Sequence, residues 1–142
     1  MGWFTSGTSG TSGMPENRFV LDTNAIIFLT TKGNMISSNL LAELNEADLF
    51  VSVITEIELF AKAELPPGEE DRLRAFLSDR IHVIDLTSAV RKETITLRRS
   101  TKLKLPDCIV VATAVALNAV LLTADTELLQ LHFTGYTSKT LL

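Results

Sequence analysis

Four short apolar runs punctuate the chain: RFVL over residues 18–21, LFVSV over 49–53, IHVIDL over 81–86 and VLLT over 120–123. Each is too short for a helix and rich in β-branched or aromatic residues, so each predicts a strand. None keeps a strict apolar/polar alternation, the mark of strands covered on both faces, as in a parallel sheet.

The segments between them carry apolar residues at helical spacing. Residues 24–29 are helical in character up to Gly33, and residues 38–47 place Leu40, Leu41 and Leu44 behind a Ser/Asn start. A helix over 54–64 is ended by Leu65, Pro66, Pro67 and Gly68, and one over 69–78 puts Leu73, Phe76 and Leu77 on one side. Thr87 caps a helix carrying Val90, Ile95 and Leu97, and Pro106 starts an almost wholly apolar helix through Asn118 that has to be buried on most faces. A short helix over 126–131 and a weak fifth strand over 133–136 complete the series. Strands alternating with helices predict an α/β fold, a three-layer α/β/α sandwich with a central parallel sheet of four to five strands.

Composition narrows the picture. Residues 1–13, MGWFTSGTSGTSG, are uncharged and repetitive and precede a second methionine, so they read as an appended tag and flexible linker. The remaining 142 − 13 = 129 residues, 14–142, suit a single domain. With 46% hydrophobic and 21% charged residues and no apolar run near the ~18 needed to cross a bilayer, no membrane span is expected. The one cysteine, Cys108, has no internal partner and no cationic leader is seen, which makes the cytoplasm the expected compartment.

Net charge is 13 − 17 = −4, unlike a protein that coats nucleic acid. Resolved along the chain, residues 91–104 hold Arg91, Lys92, Arg98, Arg99, Lys102 and Lys104 against Glu93, a balance of +5, which leaves −9 elsewhere. A basic segment sits on an acidic body.

In an open parallel sheet, ligands bind beyond the carboxyl ends of the strands. Asp22 directly follows RFVL and Asp125 follows VLLT by two residues, so both should reach that end. Asp107 stands in the first turn of the buried helix, where capping is the simpler reading. Glu58 closes a Thr55-to-Glu58 capping-box spacing, and helical phase leaves Glu56 and Glu58 equally placed among apolar neighbours. Three or four carboxylates at one end of a sheet repel one another unless a cation lies among them, and oxygen-only donors suit Mg²⁺ or Mn²⁺. His82 and His132 have no ligand spacing. Phosphate loops and a GxSxG elbow are absent outside the tag, and Cys108 reads as buried and inert.

FVLDTNAII with Asp22, VSVITEIELF with Glu58, LPDCIVVATA with Asp107 and LLTADTELL with Asp125 together resemble the PIN-domain family, most closely the VapC-like toxins of type II toxin–antitoxin pairs. The resemblance spans roughly residues 19–129. It implies a Mg²⁺- or Mn²⁺-dependent endoribonuclease, one or two ions held by Asp22, Glu58, Asp107 and Asp125, homodimerisation, and an antitoxin that blocks the site. It selects Glu58 over Glu56, as the acid preceding Leu59. Asn24 and Thr123 match polar positions that orient the acids or bound water. Arg98, Arg99, Lys102 and Lys104 are candidates for the RNA backbone, against a solvated helix end or an antitoxin surface.

Two other function classes compete. A catalytically silent PIN-like module would bind RNA or protein without cutting, and the presence of all four acids argues against it. A phosphatase of the haloacid-dehalogenase type needs a second acid two residues after its nucleophile, where this chain has Asn24.

Overall fold

A computed structural model describes residues 17–62 and 65–142; the tag assigned to residues 1–13, and the last two residues of the helix expected to reach 64, lie outside them. The described residues run β1 (Arg18–Leu21), α1 (Thr23–Thr31), α2 (Ser38–Asn45), β2 (Asp48–Ser52), α3 (Val53–Phe60), α4 (Pro67–Arg80), β3 (Ile81–Ile84), α5 (Ser88–Ser100), α6 (Leu105–Leu117), β4 (Val120–Thr123), α7 (Thr126–Leu129) and β5 (Thr137–Thr140). The sheet order is β3-β2-β1-β4-β5, and every pairing is parallel.

Alternation within the strands divides the core in two. Phe19, Leu21, Leu49, Val51, Val120 and Leu122 point to one face, where they pack with Ala25 and Ile26 of α1, Leu40 and Leu44 of α2, Leu59 of α3 and Leu73 and Leu77 of α4. Val20 and Leu121 point to the other and meet Val90 and Leu97 of α5, Leu128 of α7 and the buried side of α6. Both faces are covered, which is why the strands read as continuous apolar runs. The result is the expected α/β sandwich. Helix α6 is buried from Cys108 through Ala114, as its composition requires.

Three local expectations are corrected. The fifth strand is not residues 133–136 but Thr137–Thr140. Phe133 and Tyr136 instead stack on each other, ring centroids 5.2 Å apart, and pack against the α6 side of the core from a loop. Helix α3 starts at Val53 rather than Ile54 because Ser52 caps it, its hydroxyl accepting from the Ile54 N–H at 3.2 Å. That places Thr55 inside the helix, so the capping box does not form. In α6, Leu105 is the first helical residue and Pro106 the second.

Chain order and strand order together locate the functional end. The chain builds β1, β2 and β3 outward on one side, then returns to add β4 and β5 on the other. The direction therefore reverses between β1 and β4, the crevice where open α/β sheets bind ligands. Asp22 and Asp125 follow those two strands. Helix α6 connects to the start of β4 through Asn118 and Ala119, so its opposite, N-terminal end, with Asp107, lies at the same edge.

Candidate active site

Asp22 caps α1: its Oδ1 accepts the Ala25 N–H at 2.8 Å, while its Oδ2 accepts the Thr123 hydroxyl. Asp22 is 8% exposed. Burial raises its pKa above the ordinary aspartate value, the two hydrogen bonds pull it back, and the Asp125 charge raises it further. Thr123, fully buried at the end of β4, also accepts the Asp125 N–H at 3.0 Å. One hydroxyl thus links the two acids that flank the crevice.

Asp125 caps α7, its Oδ1 accepting from Glu127 N at 2.8 Å and Leu128 N at 3.4 Å. Asp107 sits in the first turn of α6 without serving as a cap; the N-cap residue is Lys104 and no side chain caps this helix. The simpler capping reading of Asp107 therefore does not hold. Its pKa is raised by burial first and then by the charges of Asp125, Glu127, Glu58 and Asp22, in that order. Glu58 is exposed on α3, and its Oε1 accepts the Thr23 hydroxyl at 3.0 Å across 35 residues of chain. Glu56 is half-buried elsewhere, lining a groove with Phe60, Arg74 and Leu77.

The charges of the other three expected acids, Asp22, Glu58 and Asp125, are thus all felt at Asp107. Glu127 joins them, and sequence reasoning missed it; its position two residues after Asp125, in the first turn of α7, was the available signal. Thr23 was missed as well, although it adjoins Asp22. Asn24 is exposed on α1, and no hydrogen bond joins it to an acid among the described contacts.

Arg98, Arg99, Lys102 and Lys104 are exposed on the approach to α6. Arg98 donates to the Leu103 carbonyl at 2.6 Å, bracing the loop that leads to Asp107. Cys108 is buried, and burial pushes its thiol pKa up. His82 stacks on Phe50, and both histidines are solvent-exposed. Among the described residues no helix is long and apolar enough to cross a membrane.

Among the described residues, no three Asp, Glu, His or Cys side chains stand close enough together to ligate one ion directly as placed. The donor set nonetheless fits a hard divalent cation. It offers only oxygens, and the charges of Asp125, Glu127, Glu58 and Asp22 add to burial in raising the Asp107 pKa. Mg²⁺ in particular keeps several waters and takes few carboxylates directly.

No curated protein matches the chain by sequence. Among solved structures it resembles a chain of a toxin–antitoxin complex from Klebsiella pneumoniae at 28% identity and a TM-score of 0.65, covering 83% of this chain and 94% of that one. It also resembles a chain of VapBC-1 from nontypeable Haemophilus influenzae at 25% identity and a TM-score of 0.64, covering 87% and 97%. VapBC2 from Rickettsia felis, bound to a DNA fragment from its promoter, shares the fold with a TM-score of 0.70 at 20% identity, over 87% and 98%. The family model for the PIN domain matches residues 19–133, a span that takes in Asp22, Glu58, Asp107 and Asp125, and the chain belongs to the PIN-domain family.

Proposed function

We propose that this chain is a Mg²⁺- or Mn²⁺-dependent endoribonuclease and the toxin half of a VapBC-type pair, acting in the cytoplasm as a homodimer and held silent by a cognate antitoxin. The observation that carries the nuclease reading is that the charges of Asp125, Glu127, Glu58 and Asp22, from the β4–α7 junction, α3 and the N-cap of α1, are felt at Asp107 and with burial raise its pKa. Likeness to the Klebsiella toxin–antitoxin complex supports the toxin reading.

Asp22, Glu58, Asp107 and Asp125 would hold one or two ions. When bound, a divalent ion makes hydroxide available at neutral pH and offsets charge on the phosphate under attack. The chain's own residues do the rest. Thr123 keeps Asp22 and Asp125 in register through its buried hydroxyl. Arg98 fixes the loop before Asp107, and Arg99, Lys102 and Lys104 offer exposed positive charge to the RNA backbone, offsetting the repulsion that an acidic site imposes on phosphate. Water adds to phosphorus as the bond to the 3′ oxygen breaks, leaving a 5′-phosphate and a 3′-hydroxyl.

The test is cleavage of end-labelled RNA in Mg²⁺ by protein refolded free of any copurified partner. The parent cuts, while Asp22→Asn and Asp107→Asn variants, shown by circular dichroism to be folded, do not. Variants that cut as fast as the parent refute the proposal.

A further inference from the structure

Asp22, Asp107 and Asp125 have short side chains set close to the backbone that carries them. Asp22 and Asp125 are both helix caps bonded to main-chain N–H groups, and Asp107 lies in the first turn of the largely buried α6. Glu58 is different. It is exposed, it sits in the body of α3 rather than at its start, and its longer side chain has more rotamers to lose on binding. The described hydrogen bond to its carboxylate comes from another element, the Thr23 hydroxyl at 3.0 Å.

Five other helical threonines behave differently, while the buried Thr55 hydroxyl of α3 has no hydrogen-bond partner among the described residues. The hydroxyls of Thr30, Thr31, Thr94, Thr96 and Thr113 all donate back to carbonyls of their own helices. Thr23 is the first residue of α1, where Asp22 already caps the helix, and its hydroxyl crosses to α3 instead. Its neighbour Asp22 is locked by Ala25 and Thr123, so the bond references the Glu58 carboxylate to the most constrained point of the site.

We propose that Thr23 is the positioning residue for Glu58: by donating to Oε1 it holds this carboxylate at the site and leaves Oε2 for the cation. The inference rests on the metal-binding reading above. Partners that orient ligands in this way are worth 10–100-fold in metal affinity, and an exposed bond belongs at the lower end.

The experiment is calorimetric titration of the metal-free full chain with Mn²⁺, comparing the parent with T23V, T23S, T23A, E58Q and T23V/E58Q. T23V and T23A weaken Mn²⁺ binding about tenfold, T23S stays close to the parent because the hydroxyl is kept, and T23V adds little in the E58Q background. Equal affinity of parent, T23V and T23A overturns the proposal, as does a T23V cost undiminished in the E58Q background. Melting temperatures separate a merely structural role, which lowers stability and leaves affinity alone. A parent that does not bind Mn²⁺ defeats the metal reading itself and the inference with it.

Discussion

Replacing Thr123 with valine keeps shape and β-branching at a fully buried position while deleting one hydroxyl that serves two acids. The lost donation to the Asp22 carboxylate is a hydrogen bond to a charged group, about 1.5–3 kcal/mol. The Asp125 N–H loses its acceptor too, but Asp125 is half-buried and water can reach it, so this costs about 1 kcal/mol. The added methyl returns about 0.8 kcal/mol. The net expectation is a loss of about 2–3 kcal/mol at neutral pH.

The pH dependence carries a distinct sign. Asp22 has a folded-state pKa above its unfolded value, so its contribution favours folding below the unfolded value and is lost as pH rises through the folded one. Removing the Thr123 donor pushes the folded value higher still, so the variant's penalty grows with pH across that window and shrinks in acid, where Asp22 is protonated in both proteins. Urea unfolding at about pH 7 and about pH 4, with unchanged slopes, reads both effects. A loss below ~0.5 kcal/mol at pH 7, or the same loss at both pH values, refutes the reasoning.

Asp107→Asn relieves a half-buried carboxylate of four like charges, so without metal it melts higher than the parent. Solvent screening limits the gain to under about 1 kcal/mol, a few degrees, and a metal-free Asp107→Asn that melts lower contradicts the repulsion argument. The sole tyrosine, Tyr136, has its pKa pushed up to about 12, by burial first, with the Asp22 and Asp125 charges also raising it, so phenolate absorbance in the folded chain appears near that value; a rise near the ordinary ~10 contradicts it. Tyr136→Phe loses the bond to the Leu128 carbonyl at 2.8 Å and about 1 kcal/mol, read by urea unfolding; no change would mean that this bond is stabilising nothing. Cys108, buried with its thiol against the Leu103 carbonyl at 3.6 Å, reacts with an aromatic disulfide reagent only as the chain unfolds; rapid reaction under native conditions would contradict its burial.

What the sequence disclosed, and what it concealed, follows from where each residue packs. β1, β2 and β4 are legible because both their faces are covered, so their central positions are apolar and polar residues stand only at their ends. β5 has a neighbour on one side only and carries Thr137, Ser138, Lys139 and Thr140, which leaves no apolar signal, while the apolar Phe133 and Tyr136 nearby mimic a strand from a loop. Asp22, Asp107 and Asp125 are legible as acids at strand or helix ends. The Glu56 and Glu58 alternatives could not be separated by helical phase; the structure separates them, placing Glu58 beside Thr23 and Glu56 beside Arg74. Thr23 and Glu127 escaped because a hydrogen bond across 35 residues and a charge felt across two helices leave no periodic trace.

On the proposed function, the acids at the β1/β4 crevice repel one another because they are built around a divalent cation. The thermal midpoint of the full chain, measured as Mn²⁺ is raised in parallel with Asp107→Asn, tests it most directly. The metal-free parent is expected to melt below the variant, its midpoint to climb with the logarithm of Mn²⁺ concentration as a folded-state ligand requires, and the order to reverse once the site is filled. A parent midpoint that stays flat across millimolar Mn²⁺ would contradict a metal site there.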